Sequence, residues 1–226
     1  MTRLTTPSIF MYYDVHTHSK QTTVSEEVMT VYNIAVGKDS SLNIHSGQLV
    51  SCGIHPWYIQ ADTIEEQVRL LRELVCNEQV VMIGEAGLDK QVSLSLDLQI
   101  EVFEEQILIS EELKKPLIIH CVKAWDELIV IRKKHNPSMP WIIHGFRKKG
   151  DLAEQLLKQG FYLSFGEHFQ ESALRKAWPD HLLMETDESS YPIQAIYQRI
   201  AFTLQVSVEE LSRQVEQTIR RLFLVK

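Results

Sequence analysis

Short runs of consecutive apolar residues alternate along the chain with longer segments whose apolar positions recur every three or four residues. That pattern predicts buried strands followed by helices. Eight runs read as strands: YYDVH (12–16), VMTVYNIAV (28–36), QLVSCGI (48–54), VVMIGE (80–85), PLIIHC (116–121), WIIHGF (141–146), FYLSFG (161–166) and LLMETD (182–187). Most lack polar alternation, as expected of strands covered on both faces. Helical spacing predicts a helix behind an Asp62/Glu65 capping box, with Ile64, Val68, Leu71 and Val75 on one stripe. A longer helix over 97–115 stops before Pro116, and others fall at 124–135, 150–159, 170–177 and 193–205. The last helix begins at the capping box Ser207/Glu210 and turns Leu211, Val215 and Leu222 inward.

Strand and helix in this order predict a compact α/β fold, a (β/α)8 TIM barrel. The segments SKQTTVSEE and GKDSSLNIHSG, after strands one and two, are too short for full helices, so the wall is expected to be thin there. No repeat, low-complexity tract or linker divides the chain, which reads as one barrel domain over residues 1–226.

The chemistry collects at the strand ends. His16 and His18 end strand one and, two positions apart in an extended chain, point to the same side. Glu85 ends strand four, His120 strand five, His144 strand six and Asp187 strand eight. In a barrel of this kind the C-terminal rim carries the active site. Six buried polar groups on one rim would each cost a few kcal/mol if unpaired, and metal coordination removes that cost. Four imidazoles and two carboxylates suit one or two divalent ions with positions left open for water. Glu85 can offer one oxygen to each ion, and Asp187 can bind metal and take a proton from the attacking water. Nitrogen and oxygen donors without a required thiolate leave zinc, manganese and magnesium open.

Charge narrows the partners. A net charge of -7 argues against broad, nonspecific attachment to nucleic acid. Lys20, Lys90, Lys123, Arg147, Lys148 and Lys149 nevertheless follow ligand-bearing strands, giving an acidic protein a basic rim suited to anionic substrates. His55, in GIHP, is expected to touch substrate or support a ligand, and Trp57 and Tyr58 to stack on a base or cap the mouth. Cys121 should point away from the metal face and pack. His45, His135, His168 and His181 match no ligand position and are expected to face solvent. Three cysteines without a CxxC, and no signal peptide, fit a reducing cytoplasm. No apolar run reaches the roughly 20 residues needed to cross a bilayer, so no membrane partner is expected, and no obligate protein partner is evident.

The motifs DVHTHS, GIHPW, IGEAGLD, PLIIHC, IIHGF, FYLSFG and LLMETD, together with a helix carrying Gln99, Phe103 and Gln106, resemble in order and context the TatD family of metal-dependent deoxyribonucleases, a branch of the amidohydrolase-like barrels. The resemblance runs from Tyr13 to the C-terminus. It implies hydrolysis of DNA phosphodiesters by a metal-activated water, with His16, His18, Glu85, His120, His144 and Asp187 as ligands. Three positions depart from the family pattern: Val122 and Lys123 after His120, GFRKK after His144, and Lys90 after GLD. The competing readings are a hydrolase of a small anionic phosphoester, a carbonyl-centred amidohydrolase and a catalytically silent metal-binding scaffold. Phosphoesterase barrels that open on HxH usually close with Asp-x-His, whereas Ser189 stands two places after Asp187. Amidohydrolases commonly place a carboxylated lysine where this chain has Glu85. The silent scaffold is disfavoured because the ligand set is complete.

Overall fold

The computed structural model of the protein describes residues 10–19, 26–38 and 44–223. Eight parallel strands form one sheet in sequential order: β1 (Tyr12–Thr17), β2 (Val28–Ala35), β3 (Leu49–Gly53), β4 (Val80–Asp89), β5 (Leu117–Val122), β6 (Trp141–Ile143), β7 (Phe161–Phe165) and β8 (Leu182–Met184). Among the described residues seven α-helices follow the later strands: α1 (Ile64–Leu74), α2 (Leu96–Leu113), α3 (Trp125–His135), α4 (Gly150–Lys158), α5 (Glu171–Ala177), α6 (Ile193–Leu204) and α7 (Val208–Phe223). The sheet closes on itself where Thr17 bridges Asp187, joining the first strand to the segment after the last. This is the expected (β/α)8 barrel.

The hydrophobic runs explain the layering. In β6 and β8 every residue is buried, because sheet neighbours lie on both edges and side chains pack on both faces. Strand β2 differs, with only Val31 and Ala35 buried. Among the described residues no helix lies between β1 and β2 or between β2 and β3. Residues 20–25 and 39–43 of those connections, and with them Lys20, lie outside the described residues. No helix among the described residues is long and apolar enough to cross a membrane.

Several boundaries differ from the pattern. Strands β6 and β8 stop at Ile143 and Met184, because their last predicted residues leave the ladder to enter the site loops. Strand β4 instead runs on to Asp89, so Glu85 lies within it rather than at its end. A register shift between Ile83 and Ala86 in the pairing with β5 accommodates it. The glycines of IGEAGLD make this path possible. Gly84 and Gly87 have φ of 113° and 140°, and a Cβ on Gly87 would collide with the carbonyl oxygen of His120 on the neighbouring strand.

The Asp62/Glu65 capping box does not form. A 3-10 turn over Ala61–Thr63 precedes α1, whose N-cap is Thr63 with no side-chain cap bond. The Ser207 cap does form, with Ser207 Oγ accepting the Glu210 N–H at 3.0 Å.

Helix α2 fastens two site-bearing strand ends through buried amides. Gln106 accepts the N–H of Ile54 at 2.8 Å and donates to its carbonyl at 3.0 Å. Gln99 treats Asp89 the same way, at 2.8 and 3.1 Å. Each glutamine stands in for a neighbouring strand where the ladder has ended. Cys121 is buried, and burial pushes its thiol up to about 12, as suits a packing residue.

Candidate metal centre

Glu85 is the hub of the C-terminal rim. Its Oε2 lies 3.4 Å from His16 Nε2 and 3.3 Å from His18 Nε2. Its Oε1 lies 2.8 Å from His144 Nε2, 3.0 Å from His120 Nδ1 and 3.2 Å from His55 Nε2. Asp187 completes the first side, with Oδ1 3.9 Å from His16 Nε2 and 3.7 Å from His18 Nε2. The six residues expected at the strand ends therefore meet around one carboxylate, with His16 and Glu85 buried and Asp187 about one-fifth exposed.

The backbone sets this arrangement. His16 and His18 leave β1 on the same side. Asp187 donates its N–H to the His16 carbonyl at 2.9 Å and accepts the His18 N–H at 3.1 Å. It adopts a left-handed conformation, φ 54°, which Asp and Asn tolerate better than most residues.

Protonation identifies which nitrogens are free to bind a cation. His55 Nδ1 accepts the Trp57 N–H at 3.1 Å, so in the neutral ring the proton is on Nε2 and is donated to Glu85. Burial lowers the His55 pKa against the pull of Glu85, which favours that neutral ring. His55 thus steadies Glu85. His120 stands between two carboxylates, with Nε2 3.2 Å from Asp89 Oδ2 and Nδ1 3.0 Å from Glu85 Oε1. Neither ring nitrogen of His16 has a hydrogen-bond partner, and His144 Nδ1 has none. Buried lone pairs aimed at a carboxylate repel it unless positive charge stands between them. The donor set therefore fits divalent cations, in the groups His16–His18–Glu85, His16–His144–Asp187 and His55–Glu85–His120, His55 entering the last through the Nε2 that faces Glu85.

The charges of the cluster are coupled. Burial opposes charge on both groups, yet Glu85 holds the His144 pKa well above the imidazole range, while the His144 charge and the imidazole hydrogen bonds hold Glu85 well below the carboxylate range. Asp187 is raised, first by burial and then by the charge of Glu185.

Two acidic residues of the site were not picked out from the sequence. Glu185 is fully buried, accepts the Gly145 N–H at 2.6 Å and lies 3.5 Å from His144 Nδ1. Asp89 supports His120. Both lie inside the ETD and GLD motifs, two positions before Asp187 and four after Glu85, and that proximity is the only signal the sequence carries for them. Lys38 was missed as well. It lines the cavity of about 110 Å³ over the cluster with Asn33, Trp57, Tyr58 and Glu188.

The expected basic rim is only partly at the cluster. Arg147 Nη2 lies 3.6 Å from Asp187 Oδ2, while Lys148 and Lys149 are exposed, Lys149 at the N-cap of α4. Lys90 is engaged by Glu127 at 2.6 Å, and Lys123 is exposed in a left-handed conformation; neither lines the cavity. Trp57 is 57% exposed at the mouth, and its Nε1 donates to Asp89 at 2.7 Å. His45 and His168 face solvent. His135 and His181 do not: they are partly buried, His135 3.1 Å from Glu104 and His181 Nδ1 3.1 Å from the Phe161 carbonyl.

A parallel barrel with imidazoles and carboxylates gathered on its C-terminal rim defines a metal-dependent hydrolase. The family model described as TatD related DNase matches residues 13–224, and the chain belongs to the TatD family. It is 31% identical over 185 residues, 72% of each chain, to the uncharacterized metal-dependent hydrolase YabD of Bacillus subtilis. It is 29% identical over 202 residues, 76% of each chain, to a protein of Pantoea sp. named 3′-5′ ssDNA/RNA exonuclease TatD. The crystal structure of YjjV, a TatD homolog from Escherichia coli, superposes with a TM-score of 0.77 at 18% identity, covering 96% of this chain and all of that one.

Proposed function

We propose that the protein hydrolyses phosphodiester bonds of nucleic acid, DNA first among them, at the Glu85 cluster. The observation that carries this reading is the division of the Glu85 carboxylate, one oxygen toward His16 and His18 and the other toward His120 and His144. In this reading His16, His18, Glu85, His120, His144 and Asp187 hold one or two divalent ions, magnesium, manganese or zinc. When bound, such ions polarise a phosphoryl oxygen and make water a competent nucleophile near neutral pH.

The side chains supply the rest. Asp187, at the edge of the cluster and about one-fifth exposed, accepts the proton of the attacking water. His55 holds Glu85 in place through Nε2. Arg147, beside Asp187, and Lys38, on the cavity wall, meet the charge of the phosphate. The cavity has the volume of only a few water molecules, so a phosphate enters while its base stays outside, within reach of the exposed Trp57. The name of the Pantoea relative supports single-stranded nucleic acid as the substrate class. The same small cavity also admits a small anionic phosphoester, which is the second reading.

The test is hydrolysis of labelled single-stranded DNA, duplex DNA, RNA and a small phosphodiester by chelated protein to which magnesium, manganese or zinc is returned. Metal-restored cleavage of oligonucleotides supports the proposal. Turnover of the small ester alone, under every metal, moves the assignment to the second reading.

A further inference from the structure

Asp89 ends β4, four residues after Glu85, and is buried. One of its carboxylate oxygens, Oδ2, receives two side-chain donors from different parts of the rim: Trp57 Nε1 at 2.7 Å and His120 Nε2 at 3.2 Å. The other, Oδ1, accepts the N–H of Gln91 at 2.8 Å. The backbone of Asp89 is held separately by Gln99, at both its N–H and its carbonyl. Lys90, the adjacent cation, is turned to Glu127. Oδ1 thus fixes the turn after the strand, while Oδ2 is given wholly to the two rim side chains and not to the neighbouring lysine.

We propose that Asp89 is a positioning residue that sets the tautomer and orientation of His120 and, through the same oxygen, fixes the Trp57 indole over the mouth of the site. An imidazole carries one N–H when neutral, and donating it from Nε2 to Asp89 leaves the lone pair on Nδ1. That nitrogen lies 3.0 Å from Glu85 Oε1 and 3.3 Å from His144 Nε2, inside the cluster. A carboxylate behind a ligating imidazole also raises the basicity of the nitrogen in front. Because Trp57 shares the oxygen, the exposed aromatic face is held at a fixed distance from the ligand. The inference rests on the reading of His120 as a metal ligand, and it adds a residue that touches neither metal nor phosphate.

The experiment measures zinc affinity by competition with a chelator in wild type, Asp89→Ala, Asp89→Asn and His120→Ala, beside the ring nitrogen shifts of ¹⁵N-labelled histidine in the metal-free protein. Asp89→Ala should weaken zinc binding by about 10- to 100-fold and abolish the preference for the Nε2-protonated form of His120. Asp89→Asn, whose amide oxygen still accepts both donors but carries no charge, should keep the tautomer and recover part of the affinity. If His120→Ala loses affinity while Asp89→Ala stays within two-fold of wild type with the tautomer unchanged, the positioning role is overturned and the ligand reading stands. If His120→Ala also binds zinc as wild type does, the ligand reading fails and this inference with it. Should Asp89→Ala not fold, Asp89→Asn decides: affinity equal to wild type overturns the proposal.

Discussion

Asp187 donates its backbone N–H to the carbonyl of His16 at 2.9 Å, so the bond that closes the barrel also fixes the distance between the last site residue and the first. Chemistry and fold thereby meet in one residue with a left-handed backbone. Asp187→Asn keeps the side-chain size and a residue type that accepts this conformation. Its thermal stability should stay near wild type while turnover falls by about 10² or more. Asp187→Ala should lose the same activity and in addition melt lower, because alanine lacks the short polar side chain whose local hydrogen bonding lets Asp and Asn adopt the left-handed region. Thermal melts and initial rates on one set of preparations check both, and an active Asp187→Asn would remove Asp187 from the role of base.

Metal removal should leave a distinctive pH dependence. The folded pKa of Glu85 is depressed, so its contribution is present above the ordinary carboxylate value of 4.5 and is lost as pH falls through the depressed value. The folded pKa of His144 is raised, so its contribution is present below the ordinary imidazole value of 6.5 and is lost as pH rises through the raised value. The metal-free protein should therefore melt highest between these ordinary values and lower above 6.5. Glu85→Gln removes the first of the two carboxylate charges that raise His144, leaving Glu185, and should lessen the alkaline decline. Divalent metal competes with the His144 proton, so its apparent affinity should increase with pH. Melting curves from pH 4 to 9, with and without chelator, read all three effects.

Arg147 and the two lysines after it should separate in function. All three are exposed and none lines the cavity, but Arg147 alone reaches a site residue, with Nη2 3.6 Å from Asp187 Oδ2. Arg147→Ala should raise KM for both an oligonucleotide and a small phosphodiester, because it acts at the reacting phosphate. The Lys148→Ala, Lys149→Ala pair should raise KM for the oligonucleotide only and flatten its salt dependence, because fewer counterions are released on binding. Unchanged oligonucleotide kinetics in both variants would mean that nucleic acid is not held on this side of the rim.

Most of the barrel can be read from the chain because its strands are uniform apolar runs, and burial on both faces leaves little else for such runs to do. Glu85 and the five residues gathered around it are legible for a related reason: each interrupts a run at its C-terminal end. Strand ends are less legible, since Gly84 and Gly87 let β4 continue past Glu85 by a register shift that periodicity does not encode. Asp89, Glu185 and Lys38 were missed because their importance lies in partners distant in sequence, His120 and Trp57 for Asp89, Gly145 and His144 for Glu185. Lys90 shows the converse: its place after a ligand-bearing strand is right for a rim cation, yet Glu127, across the loop, takes its charge.

The most direct test of the Glu85-centred account is anomalous diffraction from crystals of the protein loaded with zinc or manganese, collected on both sides of the metal absorption edge. The account predicts anomalous density against the Glu85 carboxylate, on the His16/His18/Asp187 side, the His120/His144 side or both, and its loss in crystals of Glu85→Gln. Density at full occupancy away from these residues, or equally strong beside Gln at position 85, would contradict it.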